Sequence, residues 1–252
     1  MRRLIAAEFR KLFSTRLWLW LLLGAMALTA LYATLAIAFG DNPNNPTPPL
    51  SSVEGQGTLF SVGSGAATPF IAVLAAVGLT GEFRHRTVSA TFLATPNRTR
   101  VLIAKLATYL VVGAGYAVVC IGVTTAIAVP WLSAKNIAVV AEGKVGTLLG
   151  TIAAVAIFGL IGVGAGALLR DQIATVVALL VYLFSVEPIV TRIPALQDWT
   201  KFLPGAAEDA MVRVVQSNTE LLGQLQGGLL LLGYGVVLAV AGSLLTMRRD
   251  VT

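Results

Sequence analysis

Charge is what this sequence has least of. Only 12% of its 252 residues are charged, about half the share of an ordinary soluble domain, while 56% are hydrophobic and the mean hydropathy is +0.83. That balance excludes a soluble globular protein and implies an integral membrane protein. The single cysteine, Cys120, sits inside an apolar run, and His85 is the only histidine. A disulfide framework and a Cys/His metal centre are therefore excluded, and Cys120 reads as a small buried hydrophobe. The pI near 9.8 would suggest nucleic acid in a soluble chain. Here the cations flank apolar runs, so anionic lipid headgroups account for them and no nucleic-acid partner is expected.

Catalytic signatures are missing as well. The nearest approach to a phosphate-binding loop is Gly143-Lys144, but Val145 follows it and Ala138 stands where the first glycine should be. No Gly-x-Ser-x-Gly or His-Glu-x-x-His occurs, which removes the usual serine and zinc hydrolase patterns. Asn97-Arg98-Thr99 matches a glycosylation sequon by chance, since the topology below puts it inside the cell. No enzyme activity, metal or cofactor is expected on this chain.

What is present is a succession of membrane-length runs. Residues 1–16, MRRLIAAEFRKLFSTR, place Ile5, Phe9, Leu12 and Phe13 at helical spacing, with Arg2, Arg3, Arg10 and Lys11 off that stripe; this predicts an interfacial helix on the inner leaflet. Its length and amphipathicity, with no A-x-A site leading into a soluble domain, speak against a cleaved signal peptide. Spans are predicted at 17–39, 60–80, 101–129, 145–169, 173–190 and 221–247. The first is 23 residues, roughly 35 Å of helix. Gly63, Gly65 and Pro69 are expected to weaken the outer half of the second. Trp131 falls at the far end of the third in an aromatic-belt position, and the Gly162-xxx-Gly166 pair in the fourth suits close packing within the subunit. Arg170-Asp171 leaves only a tight hairpin between the fourth and fifth.

Cation placement orients the bundle. With both termini inside, only Lys135, Lys144, Arg192, Lys201 and Arg213 of the 18 lysines and arginines fall outside. The Pro- and Asn-rich stretch from Asp41 is then an outer loop. Residues 191–220 become an outer re-entrant region, with short helices expected at 195–202 and 206–216 and with Trp199, Pro204, Glu208 and Asp209 as its notable residues.

Two places draw attention as functional. Residues 81–100, GEFRHRTVSATFLATPNRTR, crowd Arg84, His85, Arg86, Arg98 and Arg100 around one acid, Glu82, between the second and third spans. A hairpin needs only a few residues, so the loop reads as a cytoplasmic docking surface. A short helix starting near Gly81 would set Glu82 and Arg86 one turn apart beside the pair Phe83 and Thr87, an aromatic anchor among charges. The second place is Glu187, the one acid inside an apolar run, followed by Pro188. It lies 16 residues beyond Asp171, roughly 24 Å along a helix and nearer the outer surface than the bilayer centre. It is either part of a cargo pathway or a water-accessible structural acid at a proline kink.

The basic amphipathic start, six spans, the inner insert GEFRHRTVSATFLATPNRTRVLIAK, the hairpin LLRDQIATVVALLVYLFSVEP and the outer FLPGAAEDAM together resemble the bacterial ATP-binding-cassette type-2 permeases, which export drugs, antibiotics and peptides. The resemblance covers essentially the whole chain. It implies an all-α permease that dimerises with a second copy or a paralogue in the bacterial cytoplasmic membrane. It also implies pairing with a separate ATPase subunit that carries ATP and Mg, this chain lacking the fused nucleotide-binding domain of some relatives. Residues 82–87 would occupy the place of that family's coupling helix and residues 195–216 that of its outer re-entrant helices. Independently, a chain with no nucleotide site needs an ion gradient or an external ATPase to move solute uphill, and its acids are expected to avoid mid-membrane depth, which favours the ATPase. A gradient-driven transporter resting on Glu187 and a non-transporting membrane assembly protein are the other readings.

Overall fold

In a computed structural model of the chain, residues 1–40, 42, 47–85, 87, 97–140, 144–212 and 221–248 are described. Among them the secondary structure is helical, without strands. In chain order the helices are α1 (Arg2–Ser14), α2 (Leu17–Phe39), α3 (Val53–Arg84), α4 (Arg98–Ala134), α5 (Lys144–Leu169) and α6 (Gln172–Val181). A π-turn (Tyr182–Val186) carries α6 into α7 (Glu187–Val190). A 3-10 turn (Pro194–Leu196), α8 (Gln197–Thr200), α9 (Pro204–Val212) and α10 (Gln224–Arg248) complete the chain. Six of these stretches are long and apolar enough to cross a bilayer: α2, α3, α4, α5, the run Gln172–Val190 and α10. This is the architecture of a multi-pass membrane protein.

Helices α3 and α5 form the centre. In their most apolar windows 67% and 72% of residues are buried, against 17–33% in the other four spans. Their sequences explain this, because both are rich in Gly, Ala, Ser and Thr, which let backbones approach where no hydrophobic drive separates protein from lipid. A Cβ on Gly162 would fall 2.3 Å from the Ala72 carbonyl oxygen, and one on Gly166 would fall 3.3 Å from that of Ala76. Both glycines therefore serve packing inside the subunit. Three of the hydroxyls in α3 are satisfied within the helix: Ser61, Ser64 and Thr80 donate to the carbonyls of Thr58, Ser61 and Ala76. Against this pair pack α2, α4, α6 and α10.

Element boundaries depart from the sequence expectation at the second span. It begins at Val53, not residue 60, because Ser52 caps it by accepting the Gly55 N–H at 3.0 Å and Glu54 complements the first-turn dipole. Pro69 does not end it. The missing N–H leaves one carbonyl without its helical donor, and packing on α5 holds the helix through that gap. At its other end α3 runs on through Gly81 to Arg84. The third span likewise extends from Asn97, which caps it by accepting the Arg100 N–H, to Ala134, so Trp131 lies within the helix and packs on the smaller core of Ala33, Leu59 and Leu132. The α5–α6 hairpin turns on Arg170, with φ of 57°, and on Asp171, which accepts the Ala174 N–H at 2.7 Å.

Candidate functional site

Two charged sites lie at opposite ends of the bundle: a proximal one beside α1 and a distal one beneath α9. The proximal site centres on Lys105, seven residues into α4 and 1% exposed. Its ammonium meets Glu8 Oε2 of α1 at 2.5 Å and Glu82 Oε1 of α3 at 2.9 Å. Lys11 Nζ closes the ring, 2.9 Å from Glu8 Oε1 and 2.9 Å from Glu82 Oε1. Two cations and two anions alternate, so the cluster is neutral, and every member has two partners of opposite sign. Burial alone would raise the Glu8 carboxyl, but Lys105 and Lys11 outweigh it and hold it below the ordinary carboxylate range. Burial likewise works against charge on Lys11, and hydrogen bonds to Glu8 and Glu82 reverse that and hold its ammonium above the usual value. A cavity of about 410 Å³ opens beside the ring, bordered by Thr15, His85, Tyr109 and Gln172 among others.

This arrangement reassigns the residues expected to dock a partner. Glu82, Phe83 and Arg84 form the last turn of α3, not the start of a separate helix, since nothing between Thr80 and Arg84 breaks the helical ladder. Glu82 is committed to Lys105 and Lys11. Phe83 is half-buried against the main core, so it is not a free aromatic anchor. Arg84 is exposed and donates to Gln172 Oε1 at 3.4 Å. His85 is exposed at the helix C-cap, and the Thr87 N–H bonds the Glu82 carbonyl at 3.0 Å. Arg86 and residues 88–96 lie outside the described residues. Helix α1 buries Glu8 and Leu12 against the bundle, while Phe13 is exposed and lies beside Phe9 and Trp18.

No protein-family model matches the chain, and a search of curated proteins gave no match.

The distal site is built on Glu187, 7% exposed at the end of the π-turn. It is buried rather than exposed, and it stands between the π-turn and Pro188. Its Oε1 accepts the N–H groups of Gly205 at 2.6 Å and Ala206 at 3.2 Å, and the Tyr182 hydroxyl bonds the same carboxylate. Helix α9 starts at Pro204 after Leu203, which has no side-chain oxygen, so the cap its orphan donors need comes from another span. Gly205 is required by that approach, since a Cβ there would lie 2.6 Å from Glu187 Oε1.

One turn along α9, Glu208 is buried and accepts from Thr68 Oγ1 of α3 at 2.8 Å. Asp209 beside it is half-exposed, and Trp199 on α8 is exposed. The two short helices expected here occur at 197–200 and 204–212 in place of 195–202 and 206–216, and residues 213–216 lie outside the described set. A cavity of about 320 Å³ separates α3, the fifth span and α9, with Gly65, Pro69, Glu187 and Glu208 among its walls. Glu187 and Glu208 are both buried at this end of the bundle, and each is hydrogen-bonded by donors from a different element. Sequence reading missed Glu8 and Lys105. A lysine seven residues into a long apolar helix demands a counter-ion, and that demand was the available clue.

Proposed function

We propose that this chain is the membrane-spanning subunit of an exporter driven by ATP hydrolysed on a separate ATP-binding-cassette subunit, embedded in a bacterial cytoplasmic membrane with both termini inside. The observation that carries the reading is the course of α3. One continuous, central helix joins Glu82 in the proximal ring to Thr68 on the distal carboxylate, about 21 Å at 1.5 Å per residue. A partner that moves the proximal end of such a rod displaces the distal cavity with it, because packed helices shift as rigid units. The exposed groups available to that partner are Arg84, His85 and Thr87, while Glu82 and Phe83 transmit the displacement into the bundle. The resemblance of the inner insert and outer segment to type-2 permeases supports the same assignment, and a second permease copy would complete the cargo route.

A gradient-driven transporter is the second reading, favoured by the two buried carboxylates at the distal cavity. Reconstitution distinguishes them. The chain is co-expressed with a candidate cassette ATPase subunit and placed in proteoliposomes, and uptake of fluorescent drugs is followed. The proposal expects a stable complex whose transport needs ATP, is blocked by vanadate and survives a protonophore. Transport without the ATPase that collapses with the proton gradient would establish the second reading. Arg84→Glu should weaken the complex by about 1–2 kcal/mol, the scale of one interface contact, without changing membrane insertion.

A further inference from the structure

Helix α9 is attached at two successive turns to two different spans. Glu187 of the fifth span accepts its first N–H groups, and Thr68 of α3 donates to its Glu208. Both spans carry a proline at the point of attachment, without a break in α3. Pro69 follows Thr68, Pro188 follows Glu187, and the turn before Glu187 is π rather than α. Each proline removes one rung of the helical ladder, and such places are where helices bend. The cavity of about 320 Å³ lies between these three elements.

We infer that Glu187 and Glu208 form a latch that keeps α9 closed against the distal ends of the second and fifth spans, and that the proton on Glu208 decides whether the latch stays shut. Burial, with Asp209 adding to it, pushes the Glu208 carboxyl up to about 8 despite the hydrogen bond from Thr68. At neutral pH Glu208 is therefore mostly uncharged. The groups around it are Ser64 and Thr68 from α3, Asp209 on its own helix, and Glu187 with its partner Tyr182 from the fifth span. Helices α5 and α10 meet α9 through Gly150, Gln224, Gly227 and Gly228, at Ala207, Ala210 and Met211. None of these described residues is a cation. Loss of the proton thus creates a buried carboxylate repelled by Asp209 and, more weakly, by Glu187 on the wall of the same cavity, and moving α9 away from α3 and the fifth span hydrates it and relieves that repulsion. The inference stands on the geometry of α9 and holds whether ATP or a gradient powers the molecule.

The test uses the full chain in lipid nanodiscs, with hydrogen exchange of residues 204–212 corrected for intrinsic rate, and infrared titration of the neutral carboxylic acid. Wild-type α9 should exchange about tenfold faster at about pH 9 than at about pH 6.5, and the acid band should disappear with a midpoint near 8. Glu208→Gln should exchange slowly at both values and lack that band. Glu187→Ala should exchange fast at both, whereas Glu187→Gln, which keeps an amide oxygen for the cap, should not. Equal wild-type exchange at the two pH values, or a Glu208→Gln chain that follows pH as wild type does, overturns the inference. Should Glu187→Ala fail to fold, the comparison of wild type with Glu208→Gln decides alone.

Discussion

A single lysine shows how far one side chain organises this molecule. Lys105 is almost wholly buried, and removing its charge leaves Glu8 and Glu82 to share Lys11 alone, one negative charge in excess. Breaking a buried pair from one side costs about 3–5 kcal/mol, because an uncompensated charge remains. Lys105→Met should lower stability by that amount in denaturant unfolding from mixed micelles. Adding Glu8→Gln should recover part of it, so a double-mutant cycle reads the coupling directly. The pH dependence has a defined sign at each group. Glu8 titrates below its ordinary 4.5 when folded, so its contribution is complete above that value and is lost as pH falls through the lower folded value. Glu208 titrates above its ordinary 4.5, at about 8, so its contribution is complete below 4.5 and is lost as pH rises toward 8. Wild-type melting temperature should therefore decline between about pH 5 and 8, and Glu208→Gln should flatten that window while keeping the acid limb set by Glu8.

At the scale of elements, contact between α3 and α5 sets tolerance to side chains. Gly162 faces the Ala72 carbonyl so closely that a methyl group must push backbone apart. Gly162→Ala should cost about 1–3 kcal/mol, the usual price of overpacking. Gly65, also in α3, has no atom within 4 Å of the place a Cβ would take. Gly65→Ala should be neutral or stabilising by up to about 1 kcal/mol through helix propensity. Thermal unfolding of the two variants side by side checks both, and equal effects would show that α3 does not meet α5 along this face. The same packing explains why Pro69 fails to divide α3: one lost hydrogen bond is outweighed by a helix surface buried on several sides.

For the whole molecule, the proposed orientation of the six spans, with the α1 end inside, rests on the cation distribution, and labelling tests it. Ser51→Cys, exposed at the distal end, should react with an impermeant maleimide on intact cells, and Thr99→Cys, exposed at the proximal end, should react only after the cells are opened. Cys120 is fully buried and contributes no background. Reaction of Thr99→Cys on intact cells would invert the assignment and with it the side on which a partner docks.

Local chemistry alone determined that this chain is helical and crosses a membrane, and where most of its spans lie, because a run of apolar residues long enough for a bilayer needs no knowledge of its neighbours. The first span and the α5–α6 hairpin were legible for that reason, as was Asp171, which caps the helix that follows it within three residues. The tertiary structure alone decided what the charges do. Glu8, Glu82 and Lys105 are separated by 23 to 97 residues, and their ring depends on α1 lying against the ends of α3 and α4, which no periodicity encodes. Glu187 looked solvated because its partners are backbone N–H groups of a helix lacking its own cap, and such donors leave no mark in composition. Glu208 looked like an outer polar residue because only its contact with Thr68, 140 positions earlier, reveals that it is buried. In a low-dielectric interior the state of a charge is set by what surrounds it, and surroundings are a property of the folded chain.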